Sequence, residues 1–194
     1  MIINWLKKNF SDYPKFYQKY LETFENSSNG ITFIVFDFEI NTNNDLKSEL
    51  LSICAYKIVN NSIILNENIQ IKVQNKLNFN NENTVIETEA IIQFLDFIKN
   101  YPLISYKINS KIEIINLALK KLDAEKIENE LFTFEILFNY FENNKENIDI
   151  SLEKIAQKLK LSDYSQDTLI EKVYLEALIF LKLNSKIDLS NILK

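Results

Sequence analysis

Ile31-Thr32-Phe33-Ile34-Val35-Phe36-Asp37-Phe38-Glu39 is a near-continuous run of β-branched and aromatic side chains that ends in two acids. Such a run reads as a strand buried on both faces, and strands of that kind seldom carry charge. Residues i and i+2 of a strand point the same way, so Asp37 and Glu39 are expected on one face. An unpaired carboxylate there costs on the order of several kcal/mol or neutralises itself. Something positive must face the pair, and the choice lies between a metal ion and a lysine.

Working outward, residues 50–59 and 62–73 read as two further strands around Asn60-Asn61, a pair suited to a tight hairpin turn. With the strand at 31–38 they form an antiparallel meander. Asn26-Ser27-Ser28-Asn29-Gly30 is a turn with the only glycine, 41–47 a polar loop and 75–86 an Asn-rich loop. Ile91, Leu95 and Ile98 place a helix over 87–100, which Pro102 ends before the short strand Leu103-Ile104-Ser105-Tyr106. A helix over 109–122, a strand at 129–133 and helices near 133–142, 151–160 and 167–185 complete an α+β (mixed α/β) pattern. Residues 1–26 read as helical, with Ser11 or Asp12 as cap, Pro14 in the first turn and an aromatic stripe of Tyr13, Phe16, Tyr17, Tyr20 and Phe24. That stripe packs on the main domain or offers a surface to a protein partner. The organisation expected is an N-terminal helical extension, 1–29, followed by one domain, 30–194.

Composition narrows the chemistry. The chain of 194 residues has no histidine, which excludes His-based triads, His ligands and a His general base. All 22 basic residues are lysine, so bidentate arginine forks to phosphate are excluded too. A formal net charge of −5 argues against a dedicated nucleic-acid or anionic-membrane binder, though an acidic body can carry a local basic groove. Cys54 is the only cysteine; it can form no intrachain disulfide and fits a reducing cytoplasm. The N-terminal residues do not read as a signal peptide, and no run approaches the ~20 apolar residues of a membrane helix.

Asp-x-Glu at the end of the first strand of a meander, then helix, strand, helix and a long final helix, resembles the DEDD-type 3′–5′ exonucleases (DnaQ-like, proofreading epsilon-subunit-like) over residues 31–185. The resemblance implies an RNase H-like fold, a five-stranded mixed sheet with flanking helices. Phe36-Asp37-Phe38-Glu39 matches the first motif of that family. Ile40-Asn41-Thr42 stands where the family has Thr-Thr-Gly, whose backbone approaches the terminal nucleotide. Tyr106-Lys107-Ile108-Asn109-Ser110-Lys111 is similar to the second motif, His-Asn-x-x-Phe-Asp, with Lys111 at the position of the acid. In the third motif, Asp167 falls at the position of the histidine and Lys172 at that of the acid; no tyrosine has an aspartate four residues on.

The family's reaction is two-metal phosphodiester hydrolysis, in which four carboxylates hold two divalent ions. By the resemblance, Asp37 and Glu39 are retained metal and catalytic positions, whereas Lys111, Asp167 and Lys172 are substituted ones. Two acids facing two ammonium groups sum to zero, so the lysines are expected to stand where the metals stood, in a salt-bridged pocket needing no cofactor. This implies a degenerate, inactive member kept for binding single-stranded nucleic acid, a nucleotide or a protein, with Ile40, Asn41 and Tyr106 as candidate nucleic-acid contacts. The alternative is a weakly active Mg²⁺- or Mn²⁺-dependent 3′–5′ exonuclease on single-stranded DNA or RNA, its site rebuilt from Asp37, Glu39, Glu176 and Asp167.

Overall fold

A computed structural model describes residues 10–25, 32–42, 48–74, 83–143 and 150–187. The strands are β1 (Thr32–Thr42), β2 (Ser48–Val59), β3 (Ser62–Lys72), β4 (Leu103–Ser105) and β5 (Leu131–Thr133). The helices are α1 (Lys15–Glu22), α2 (Glu87–Ile98), α3 (Ile108–Lys121), α4 (Phe134–Phe141), α5 (Leu152–Lys158) and α6 (Leu169–Asn184). One five-stranded sheet runs β3-β2-β1-β4-β5. The β3-β2-β1 portion is the antiparallel meander, and β4 and β5 add in parallel beyond β1. This mixed sheet with helices on both faces is the expected α+β class.

Alternation along β1 divides the interior. Ile34, Phe36 and Phe38 face one core with Phe94 of α2 and Ile112 and Ile115 of α3. Phe33 and Val35 face the other, with Phe138 of α4, Ile155 of α5 and Phe180 of α6. β1 is therefore sandwiched between two helical layers, which explains its unbroken apolar run.

Asn60 and Asn61 both take positive φ, 48° and 59°, the geometry of a two-residue hairpin with right-handed twist. Glycine is unavailable at the ends of α2, α3, α4 and α5, and Lys99, Asp123, Asn143 and Lys160 adopt positive φ there instead.

The first helix differs from expectation. Residues 1–9 and the Asn26–Gly30 turn lie outside the described residues, as do 43–47 of the polar loop and 75–82 of the Asn-rich loop. Neither Ser11 nor Asp12 caps α1: both belong to a short 3-10 turn, and Pro14 is the N-cap at φ −57°, ψ 147°, with no side-chain cap. Proline disfavours helical geometry in the residue before it, so the first turn cannot join α1 smoothly. Tyr17 and Tyr20 of the stripe are buried in the first core. The Tyr17 hydroxyl donates to Lys126 O at 2.6 Å and the Tyr20 hydroxyl to Asn129 Oδ1 at 2.6 Å. The stripe is thus packed against the main domain, with Phe24 at its exposed end. No helix among the described residues is long and apolar enough to cross a membrane.

Candidate functional site: a lysine-clamped aspartate

Asp37 lies on β1 beside the end of its parallel neighbour β4, where the chain leaves the sheet to enter α3. Ligand sites of open α/β sheets favour such strand ends. The side chain is 1% exposed, yet both of its oxygens meet a cation. Lys111 Nζ pairs with Oδ1, and Lys172 Nζ pairs with Oδ2 at 2.6 Å. Oδ1 also accepts the Phe38 backbone N–H at 2.8 Å.

Each lysine is delivered by helical spacing. Lys111 occupies the buried stripe of α3, one turn after Ile108 and one before Ile115. Its ammonium also donates to Ser105 Oγ at 2.5 Å, and Ser105 in turn donates to Phe36 O at 2.6 Å. That relay ties α3 through the end of β4 to β1. Lys172 sits in the first turns of α6, held in place by a complete capping box between Thr168 and Glu171. Burial draws the Lys172 pKa down, but attraction and hydrogen bonding to Asp37, helped by Glu176 and Glu153, outweigh it and leave the group above its ordinary value.

A second acid completes the cluster. Glu176, one turn beyond Lys172 on the same face of α6, is fully buried, and its carboxyl oxygens find no hydrogen-bond partner among the described residues. Desolvation pushes its pKa up to about 8; Lys111 and Lys172 pull against this, while Asp37 and Glu135 add to it. Burial thus favours the neutral form of this carboxyl, and the two ammonium groups oppose it.

Glu39 does not join the pocket. It is exposed and accepts a hydrogen bond from Ser52 Oγ, its cross-strand partner, at 2.9 Å. Pairing is regular from Asp37 opposite Cys54 to Glu39 opposite Ser52, so the two acids share a face of β1 as expected, but Glu39 lies further along the strand, in solvent, and the register shifts only after it. Two acids facing two lysines thus becomes one acid holding both. Asp167 is also exposed, accepts from Ser165 Oγ at 3.0 Å, and lines with Glu39 a groove of about 570 Å³ between β2, β3 and the start of α6.

The candidate nucleic-acid contacts are dispersed. Ile40 packs against the first core, and Asn41, expected to open a polar loop, is instead a ladder residue opposite Glu49. Tyr106 packs against the second core with the Lys107 ammonium 5.4 Å from its ring centre. Ser105 and Glu176 are the contributors that sequence weighs least. The signal for each is a polar residue inside an otherwise apolar element, Leu103-Ile104-Ser105 and the Val173–Phe180 portion of α6.

A divalent cation does not fit these residues. Asp37 and Glu176 lie in the lysine pocket, Glu39 and Asp167 on the open groove, and among the described residues no three Cys, Asp or Glu side chains are grouped to hold a metal. The rebuilt four-acid site does not form. An ion beside Asp37 would meet two ammonium groups of like sign.

No protein-family model matches the chain, and no curated protein matches its sequence. Solved structures do share its fold. The nuclease domain of 3′hExo, a DEDDh family member, bound to rAMP, superposes with TM-score 0.63 at 12% identity, over 82% of this chain and 94% of that one. A 3′-exonuclease described in specific recognition of the histone mRNA stem-loop gives TM-score 0.61 at 13% identity, over 82% and 84%. Exonuclease I of E. coli with a dA16 oligonucleotide gives 0.60 at 9% identity, over 80% of this chain and 41% of that larger one. At these identities the likeness is one of architecture: the chain has the DnaQ-like, RNase H-like fold of 3′-exonucleases.

Proposed function

We propose that the chain is a degenerate 3′–5′ exonuclease domain that does not hydrolyse phosphodiesters and binds the end of a single-stranded nucleic acid, or a nucleotide, without metal. The observation that carries this reading is the double clamp on Asp37: each oxygen with which it could ligate a metal already holds an ammonium group. In a two-metal mechanism the ions neutralise and orient the reacting phosphate. Here Lys111 and Lys172 supply fixed positive charge at the same place, but they can neither generate a hydroxide nor stabilise a leaving oxygen as a divalent ion does. Lys172, with its side chain 37% exposed, is the ammonium that a phosphate oxygen can reach. The fold neighbours crystallised with rAMP and dA16, and the one described with an RNA stem-loop, support nucleic acid as the ligand class.

The deciding experiment incubates 5′-labelled single-stranded DNA and RNA with the protein in Mg²⁺ and in Mn²⁺, beside Asp37→Asn/Glu39→Gln, and measures binding by anisotropy over a salt series. The reading expects intact label and an affinity that weakens with salt and falls in Lys172→Gln. Shortening from the 3′ end that vanishes in the double variant would establish the active enzyme instead. Intact label with no salt-dependent binding would remove the nucleic-acid role.

A further inference from the structure

Three tyrosines converge beside α6. Tyr56 projects from β2, Tyr164 comes from the turn before α6, and Tyr174 lies on α6 itself. The ring centres of Tyr56 and Tyr174 are 5.9 Å apart with planes at 64°, and those of Tyr164 and Tyr174 are 6.4 Å apart at 58°. The rings are inclined like the walls of a cup, with no parallel stacking. The cup is an open depression of about 180 Å³, and Ser165, Ile170 and Glu171 complete its lining. Glu171 and Tyr174 are three residues apart and share a helix face; Lys172 and Glu176 occupy another.

We propose that this cup binds a quaternary or methylated ammonium head group. Ring faces carry negative potential and attract a cation whose hydration is weak, and a carboxylate beside them supplies the counter-charge. Glu171 supplies it here: hydrogen bonds from Thr168 and Ser165 to its carboxylate hold its pKa below the usual range, so it stays charged at neutral pH. Among the described residues four lysines lie over aromatic rings elsewhere and none over these three. The volume is well below the ~300 Å³ at which pockets for larger ligands begin, which suits one compact head group. A phosphate-bearing ligand is disfavoured by the carboxylate. This site is independent of the Asp37 pocket, and either can fail without the other.

The test is a titration of the protein, with ¹³C-labelled tyrosine rings, against choline and against a short peptide bearing trimethyllysine. The neutral isostere 3,3-dimethylbutanol serves as control. Saturable shifts of the Tyr56, Tyr164 and Tyr174 resonances are expected with at least one cationic probe, at least tenfold weaker with the isostere. Whichever probe binds identifies the source, a free head group or a modified side chain. Tyr164→Ala, at an exposed position, should abolish the shifts. Glu171→Gln preserves the capping geometry while removing the charge, and should weaken binding severalfold. Equal response to choline and the isostere, no saturation with either cation, or binding unchanged in both variants overturns the proposal.

Discussion

Lys111 and Lys172 do unequal work on the same carboxylate. The Lys111 side chain is 10% exposed and that of Lys172 37%, so water screens the second pair far more than the first. Removing Lys111 strands a buried charge, and Lys111→Met should cost about 3–5 kcal/mol in chemical denaturation. Lys172→Met should cost about 1 kcal/mol or less. Asp37→Leu/Lys111→Met, which removes both charges of the inner pair, should recover most of the Lys111→Met loss; a double variant no more stable than the single would show that the ion pair is not the source of the cost. Glu176 sets a pH dependence of opposite sense to that of a salt-bridged acid. Its pKa rises from 4.5 to about 8 on folding, with Lys111, Lys172, Asp37 and Glu135 facing it. Between those values the folded chain keeps a proton that the unfolded chain releases. Stability is therefore greatest below about pH 4.5 as far as this group is concerned, and falls as pH rises toward 8. Glu176→Gln should flatten the stability profile between about pH 5 and 8, read from denaturation midpoints; an unchanged slope would place the titration elsewhere.

At the scale of elements, two attachments are open to test. Thr168 closes the capping box that starts α6, and Thr168→Ala should cost about 1 kcal/mol. The Tyr20 hydroxyl both donates to Asn129 and accepts from Glu128 N at 2.8 Å, so Tyr20→Phe leaves buried groups unpaired and should cost about 1–3 kcal/mol. A loss no larger than that of an exposed Tyr→Phe change would mean that α1 is held by its rings alone. The elements themselves were legible in the chain because each had a local cause. A near-continuous apolar run and Asn60-Asn61 marked the meander, and helical spacing of isoleucine and leucine marked α2 and α3. Lys111 could be placed because the resemblance puts it at the acid of the second motif, just ahead of an apolar run. That Glu39 stays outside the pocket could not be read, since the two acids share a face and only the placement of α3 and α6 decides which of them meets the lysines. The start of α1 was misjudged for a related reason: Ser11 and Asp12 are good capping residues, but Pro14 excludes the chain before it from the helix.

For the whole molecule, the clamp bears on ligand linkage. A divalent cation that bound only the folded chain would raise its stability by about 2.7 kcal/mol at a hundred times its dissociation constant. With Asp37 already satisfied by lysine, the midpoint of thermal unfolding should be the same in Mg²⁺, Mn²⁺ and EDTA; a rise in Mn²⁺ that Asp37→Asn abolishes would reveal a metal site. The same clamp also governs which sequences are reachable from this one. Changing Lys111 alone to an acid would set it beside Asp37 and Glu176 with Lys172 as the remaining counter-ion in that cluster. Changing Lys172 alone would leave Lys111 to offset the same acids. Each single step lowers stability before a metal could compensate, so a valley separates this sequence from one carrying four metal-binding acids. The two lysines act as a ratchet: reaching a four-acid site requires both changes at once, with the ion present.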